Sequence, residues 1–320
     1  MIITEHLKLV PMDKSMCEAI VESNRSYFEE LSYSVSPKWF TPELIRVVSG
    51  YLSMMALSYD SHLLGWLVVE AKTHEIIGDF GFSCLSVDGS VEIEFALIKQ
   101  HQERGYGREM LKAMSIWCYL QSEIHKLCAK VKPQNTKSIA ILEKAGFNVL
   151  EGQGRHLNYE LPLDNVPKIY EHYQLESGVG ISSCLLGINA KYSGESNLSE
   201  TVLTLATKRH IVPFCPEQMG GLTTPRQPAE IVSNCVKTED GTDVTDAFVK
   251  GANETVKLTK IIQIRCFILK DGSPSCGSFR IYDGTFSGTK INGMGMTCRL
   301  LFDKFEQVVI YNENRDMMIK

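Results

Sequence analysis

Three cysteines stand in loops that follow predicted strands: Cys184 after Val179-Gly180-Ile181, Cys215 after Ile211-Val212-Pro213-Phe214, and Cys276 after the apolar run from Ile261 to Leu269. Cysteine usually packs in apolar cores, yet these loops are rich in Gly, Pro and Ser. In open α/β sheets ligands collect beyond the carboxyl ends of strands, so the three thiols are expected to converge. Three thiolates without a histidine suit an iron–sulfur cluster better than structural zinc, which closes with four ligands. A second stretch carries different chemistry. Val91, Ile93, Phe95 and Leu97 alternate with Glu92 and Glu94, then Gly105-Tyr106-Gly107 opens a helix in which Met110, Leu111, Met114 and Trp117 recur at helical spacing. The unpaired N–H groups of a first helical turn, with roughly half a positive charge from the aligned peptide dipoles, make an anion cradle.

Elements must hold these groups in place, and the chain is long enough to supply two sets. Its 320 residues fit two domains, with 44% hydrophobic and 22% charged residues as in a soluble globular protein. A net charge of −5 argues against an extended nucleic-acid footprint and for small-molecule ligands. No run approaches a membrane span, and Met1-Ile2-Ile3-Thr4-Glu5-His6 lacks the features of a signal peptide, so a cytoplasmic protein is expected. Of the ten cysteines, Cys17, Cys84, Cys118, Cys128, Cys235, Cys266 and Cys298 lie in apolar patterns and are read as core residues. The expected domains are 1–163 and 179–320, joined by a polar, Tyr-rich linker at 164–178. In the first, helices are expected over 13–31 and 42–58, and an antiparallel pair over 63–69 and 76–82. The second alternates strands and helices, which predicts a parallel sheet.

In the first half, Gln102-Glu103-Arg104-Gly105-Tyr106-Gly107-Arg108 resembles the Q/R-x-x-G-x-G/A loop of the GNAT N-acetyltransferases. Pro133-Gln134-Asn135-Thr136-Lys137-Ser138, leading to Gly146-Phe147, resembles that family's second signature. The resemblance implies a mixed α+β sheet splayed at one parallel strand pair, with acetyl-CoA in the gap. It implies that the loop residues from Gln102 to Arg108 hold the pyrophosphate, that Asn135 contacts the cofactor, and that Ser138 bonds the pantetheine arm. Asn135 can equally be an ordinary helix cap. Acyl transfer from a thioester to an amine needs a base, and Glu92 and Glu94 share the polar strand face, with Glu92 favoured by its match to the ribosomal-protein-acetylating branch. Ile141 and Leu142 stand where many of these enzymes carry a tyrosine general acid.

In the second half, Ser183-Cys184-Leu185-Leu186-Gly187, Cys215-Pro216-Glu217, Gly220-Gly221-Leu222-Thr223-Thr224-Pro225-Arg226 and Ser273-Pro274-Ser275-Cys276-Gly277 are similar to the motifs of the family that includes the thiouracil desulfurases. Ile281-Tyr282-Asp283-Gly284-Thr285 and Gly293-Met294-Gly295 extend the match to about residue 312. The resemblance implies a [4Fe–4S] cluster on Cys184, Cys215 and Cys276 whose open iron takes sulfur from a thiocarbonyl. Glu217 is the candidate to activate water or protonate the ring, with a helix cap or a salt bridge to Arg226 as its alternative role, and Arg226 can equally anchor an anionic substrate group. Ser273 and Ser275 are candidates to orient the base or bond cluster sulfur. The expectation is therefore an α/β protein joining an acetyl-CoA-dependent N-acetyltransferase to a desulfidase-like domain, acting on a small amine and a thiolated nucleobase. The alternative second domain is a non-catalytic metal- or nucleotide-binding regulator.

Overall fold

The computed structural model describes residues 1–57, 59–83, 85–150 and 155–320; Cys84 lies outside the described residues. The chain forms two compact units, Met1–Ile169 and Tyr170–Lys320. No helix among the described residues is long and apolar enough to cross a membrane.

The first unit is a mixed sheet. Its strands are β1 (Ile2–Ile3), β2 (Leu7–Pro11), β3 (Ser34–Val35), β4 (Gly65–Glu70), β5 (Glu75–Phe82), β6 (Ser90–Leu97), β7 (Lys126–Val131), β8 (Asn148–Leu150) and β9 (Leu157–Pro162). They run in the order β1-β2-β4-β5-β6-β7-β9-β8, with β3 beside β5. The helices are α1 (Lys14–Val21), α2 (Arg25–Glu30), α3 (Pro42–Ala56), α4 (Tyr106–Tyr119), α5 (Thr136–Lys144) and α6 (Val166–Ile169). The single helix expected over 13–31 is instead two, because Ser23 turns the chain at φ +54° and Asn24 caps a new start by accepting from the Tyr27 N–H. The pair expected over 63–69 and 76–82 forms as β4 and β5, antiparallel. Segment 164–178 folds as short helical turns with Val166, Tyr170 and Tyr173 buried.

The second unit carries strands β10 (Val179–Ser182), β11 (Ile211–Phe214), β12 (Ala229–Val232), β13 (Cys235–Thr238), β14 (Cys266–Leu269), β15 (Arg280–Tyr282), β16 (Lys290–Asn292), β17 (Val309–Asn312) and β18 (Met317–Ile319). Its helices are α7 (Glu200–Ala206), α8 (Pro216–Met219), α9 (Thr245–Ile261) and α10 (Met296–Lys304). β11-β10-β14-β17 is a parallel sheet, and β18 adds an antiparallel strand to β17. The hairpins β12-β13 and β15-β16 stand outside that sheet. Cys17, Cys118, Cys266 and Cys298 are 0% exposed, whereas Cys128 and Cys235 are half-buried.

One helix contact places a site loop. A Cβ at Gly251 in α9 would sit 1.9 Å from Pro216 O, and one at Gly220 would sit 2.0 Å from Ala247 O. These two glycines let α8, which begins directly after Cys215, lie backbone to backbone on α9. Gly251→Ala should therefore cost about 2 kcal/mol despite alanine's better helix propensity, read as a lowered unfolding midpoint of the second unit.

Candidate active sites

In the first unit β6 and β7 pair in parallel only from Ser90 to Glu92 and Lys126 to Cys128. Beyond that point β6 stays with β5 and β7 with β9, so the sheet opens a gap. At the far end of β6 the loop from Gln102 reaches α4 through Gly105, which sits in the left-handed region at φ +86°. A Cβ there would meet no atom within 4 Å, so glycine is needed for its backbone angle rather than for space. The N–H groups of Gly105, Tyr106 and Gly107 find no acceptor among the described residues. They remain available to an anion.

The side chains around this loop are mostly committed to holding it. Gln102 Nε2 donates to Leu97 O at 2.9 Å, and Glu103 meets Lys137 at 2.8 Å. The Tyr106 hydroxyl donates to Glu70 Oε1 at 2.6 Å, and Arg104 lies 3.9 Å from the same oxygen. Thr73 and Tyr106 hold the Glu70 carboxyl below the usual carboxylate range. Glu70, Glu75 and His101 bring ligand atoms within 4.8 Å of one another, the one such grouping among the described residues. Arg108 is exposed on the first turn of α4. Asn135 caps α5, accepting from the Ser138 N–H at 3.2 Å, and Ser138 is half-buried. In that helix Leu142 is fully buried, and Ile141 fills the space beside Gly107.

Where the gap begins, Glu92 binds Lys130 Nζ at 2.7 Å, while Glu94 is exposed. The same face carries a residue that sequence reasoning missed. Asp79 on β5 lies opposite Ala96 of β6, and its neighbour Gly81 lies opposite Glu94. Burial, reinforced by Glu94, pushes the Asp79 carboxyl up to about 6 although Trp39 Nε1 donates to it at 3.3 Å. No sequence signal separates Asp79 from an ordinary strand carboxylate.

In the second unit Cys184, Cys215 and Cys276 follow β10, β11 and β14, three adjacent strands. Their strands span two spacings, about 10 Å in all, and all three cysteines line one cavity of about 440 Å³. β10 is where the strand order reverses, the usual ligand position in such sheets. Burial pushes all three thiols up, Cys276 well above the ordinary thiol. Asn197 opposes this at Cys184, the α8 N–H groups at Cys215, and Ser182 at Cys276. The cavity wall contains no histidine and no fourth cysteine among the described residues.

Glu217 lines the cavity with Arg226 clamped on Oε2 by Nη2 at 2.6 Å and Nε at 2.9 Å. Arg226 also donates to Ala190 O and Thr223 O, so its guanidinium ties three loops together. Ser273 Oγ lies 3.4 Å from Glu217 Oε1 and accepts the N–H groups of Ser275 and Cys276 at 3.1 Å. Ser275 does not line the cavity. It is 1% exposed, and its hydroxyl meets Thr297 Oγ1 at 2.9 Å. Its carbonyl accepts the N–H groups of Thr297 and Cys298 in the first turn of α10, so the residue ties the Cys276 loop to that helix.

Other residues of this site carried only a weak sequence signal, their place at strand ends. Lys270, in the cavity wall, binds Glu313 at 2.6 Å and Asp271 O at 2.7 Å. Asp271, 3% exposed, accepts the N–H groups of Ser278, Phe279 and Arg280 through Oδ1, and Arg280 Nε through Oδ2. Burial alone would raise its carboxyl, but these donors and the Arg280 charge outweigh it and hold it below the usual range. A carboxyl depressed on folding adds stability above its unfolded pKa of about 3.9 and loses it as pH falls through the folded value. Asp271→Asn should thus be less stable at pH 7 and show a flatter loss of stability below about pH 4, read by unfolding at stepped pH.

Comparison with known proteins bears on both sites. Residues 7–148 match the family model described as acetyltransferase (GNAT) domain, and residues 179–313 match 2-thiouracil desulfurase. YbbK of Bacillus subtilis is 41% identical over 148 residues, covering 43% of this chain and 98% of its own length. The N-acetyltransferase YjdG of the same organism is 25% identical over 150 residues, covering 45% and 87%. Among solved structures, a [4Fe-4S]-dependent thiouracil desulfidase is 42% identical, covering 43% of this chain and 91% of its own, with a TM-score of 0.40.

Proposed function

Because the chain belongs to the GNAT acetyltransferases over residues 7–148 and to the 2-thiouracil desulfurase family over residues 179–313, we propose that it is a bifunctional enzyme. The first unit transfers the acetyl group of acetyl-CoA to a small amine. The second removes sulfur from a thiolated nucleobase. The observation that carries the second activity is the convergence of Cys184, Cys215 and Cys276 on one cavity whose wall, among the described residues, offers no fourth sulfur or imidazole.

In the first unit the free amides of Gly105, Tyr106 and Gly107 hold the pyrophosphate, and the Glu70–Tyr106 bond fixes the loop that presents them. The pantetheine arm lies in the gap between β6 and β7, with Asn135 and Ser138 at its side. Glu92 and Glu94 face the point where the gap begins, where a base must take the ammonium proton before the amine attacks the thioester carbonyl. The C–S bond breaks as the amide forms. The thiolate takes its proton from the amine or from water, since α5 offers only the apolar Ile141 and Leu142 there.

In the second unit the residues fit a cluster with three protein ligands. Three soft donors surround one cavity, and their burial keeps the thiols protonated until a metal displaces the protons. A [4Fe–4S] cluster held by Cys184, Cys215 and Cys276 would supply a Lewis acid and sulfur acceptor there. Exchange of C=S plus water for C=O plus hydrogen sulfide moves no net electrons. Arg226 holds Glu217 Oε2, which leaves Oε1 to direct a water or carry a proton, and Ser273 sets that oxygen's position.

Two measurements test this. Protein purified without oxygen should be brown, absorb at about 400 nm, and contain iron and sulfide that Cys276→Ser loses. A colourless protein with stoichiometric zinc would instead make the unit a non-catalytic metal-binding regulator. Calorimetry should show coenzyme A binding that Gly105→Ala weakens about tenfold, because an L side chain at positive φ costs about 1–2 kcal/mol; equal binding would remove the amide cradle from the mechanism.

A further inference from the structure

The polar face of the first unit holds a partly buried acid–base group that Glu92 does not belong to. Gly65 of β4 and Gly81 of β5 lie opposite each other and leave a slot in the sheet surface. The ring of Tyr51 from α3 fills it: a Cβ at Gly65 would sit 2.6 Å from Tyr51 Cε2, and one at Gly81 would sit 2.0 Å from Tyr51 Oη. The phenol oxygen therefore rests over Gly81. That position lies between Asp79, two residues along the same strand, and Glu94, directly across on β6. Trp39 closes the other side and donates to Asp79 Oδ1 at 3.3 Å. The remaining neighbours are Leu67 of β4, opposite Asp79, and the Cys17 thiol of α1, beyond Tyr51.

We propose that Asp79 is the proton acceptor of acetyl transfer, reached from the amine through the exposed Glu94 and the hydroxyl of Tyr51. This rests on the acetyl-transfer reading and names the group that reading leaves open. Glu92 is engaged by Lys130, whereas among the described residues the Asp79 carboxyl has a single side-chain donor, Trp39, and the Tyr51 hydroxyl rests over nearby Gly81. The bookkeeping of protons closes. An acceptor R–NH3+ gives one proton along the relay to the Asp79 carboxylate. The free amine attacks the thioester, the C–S bond breaks, and the second N–H proton ends on the coenzyme A thiolate. Asp79 then returns its proton to solvent by the same route. A base that titrates near neutrality accepts more readily than an ordinary carboxylate, and burial together with the Glu94 charge gives Asp79 that property.

The test uses the full chain, with spermidine, an aminoglycoside and an alanine-starting peptide as probe amines and calorimetric coenzyme A binding as the check of folding. In the wild type, kcat/KM should fall on the acid side near pH 6. Asp79→Asn should abolish that limb and lower kcat about 100-fold while leaving coenzyme A affinity unchanged. Glu94→Gln should move the limb slightly to lower pH, because the Glu94 charge adds to the larger effect of burial in raising Asp79. Tyr51→Phe should lower kcat with little change in KM for acetyl-CoA. Wild-type rate and profile in Asp79→Asn would overturn the proposal while leaving the transferase reading intact. If no amine is acetylated, the transferase reading itself falls. The indole of Trp39 then decides separately, since its fluorescence should titrate near pH 6 in the wild type and not in Asp79→Asn; the absence of that transition also overturns the assignment.

Discussion

A strand that loses its neighbour leaves backbone groups without partners, and buried backbone groups must find partners somewhere. Both sites form where this happens. In the first unit β6 and β7 part after Glu92 and Cys128, and the amides of the following loop and helix start are left open to an anion. In the second, three parallel strands end side by side, and the segments after them each bring one cysteine to the same cavity. The chemistry of each half follows from what stands at those endings: free N–H groups in one, soft sulfur in the other.

Loops at strand ends are costly to order, so the molecule anchors them with buried charge. Asp271 and Glu230 each accept backbone N–H groups from a loop of the cavity wall, three for Asp271 and two for Glu230. Arg226 and Lys270 bridge from such loops to carboxylates and carbonyls. Charge-assisted hydrogen bonds of this kind are the strong ones, and a carboxylate that accepts several N–H donors is well satisfied even when buried. The cavity wall is thus held rigid before any ligand arrives, which keeps three thiols poised at fixed positions. The first unit uses the same device at Glu70, which holds Tyr106 at the start of the cradle helix.

Burial acts in opposite directions on function in the two halves. Around the three cysteines it disfavours the thiolate, so the proposed cluster would have to displace their protons. Beneath Trp39 and Tyr51 it disfavours the carboxylate, which brings Asp79 toward the pH at which proton transfer is useful. The same penalty for a charge away from water acts on the thiols of one cavity and on a strand carboxylate of the other unit.

Much of this was legible in the residues themselves. The glycine loop, the Asn135 cap and the three cysteines after strands are local patterns, because turns and caps depend on a few consecutive residues. The alternation at Val91 to Leu97 likewise tells which side chains share a face. It does not tell which strand lies alongside. The pairings of Tyr106 with Glu70, Lys270 with Glu313 and Trp39 with Asp79 join residues 36, 43 and 40 positions apart, and only the packed chain could choose them. The same holds for Ser275, whose motif suggested a role in the cavity but whose hydroxyl turns to Thr297 because the loop must cap α10. Local sequence specifies the shape of a loop end; the neighbours that give its groups their charge, burial and partners come from the tertiary fold, since those interactions act through space and leave no period in the chain.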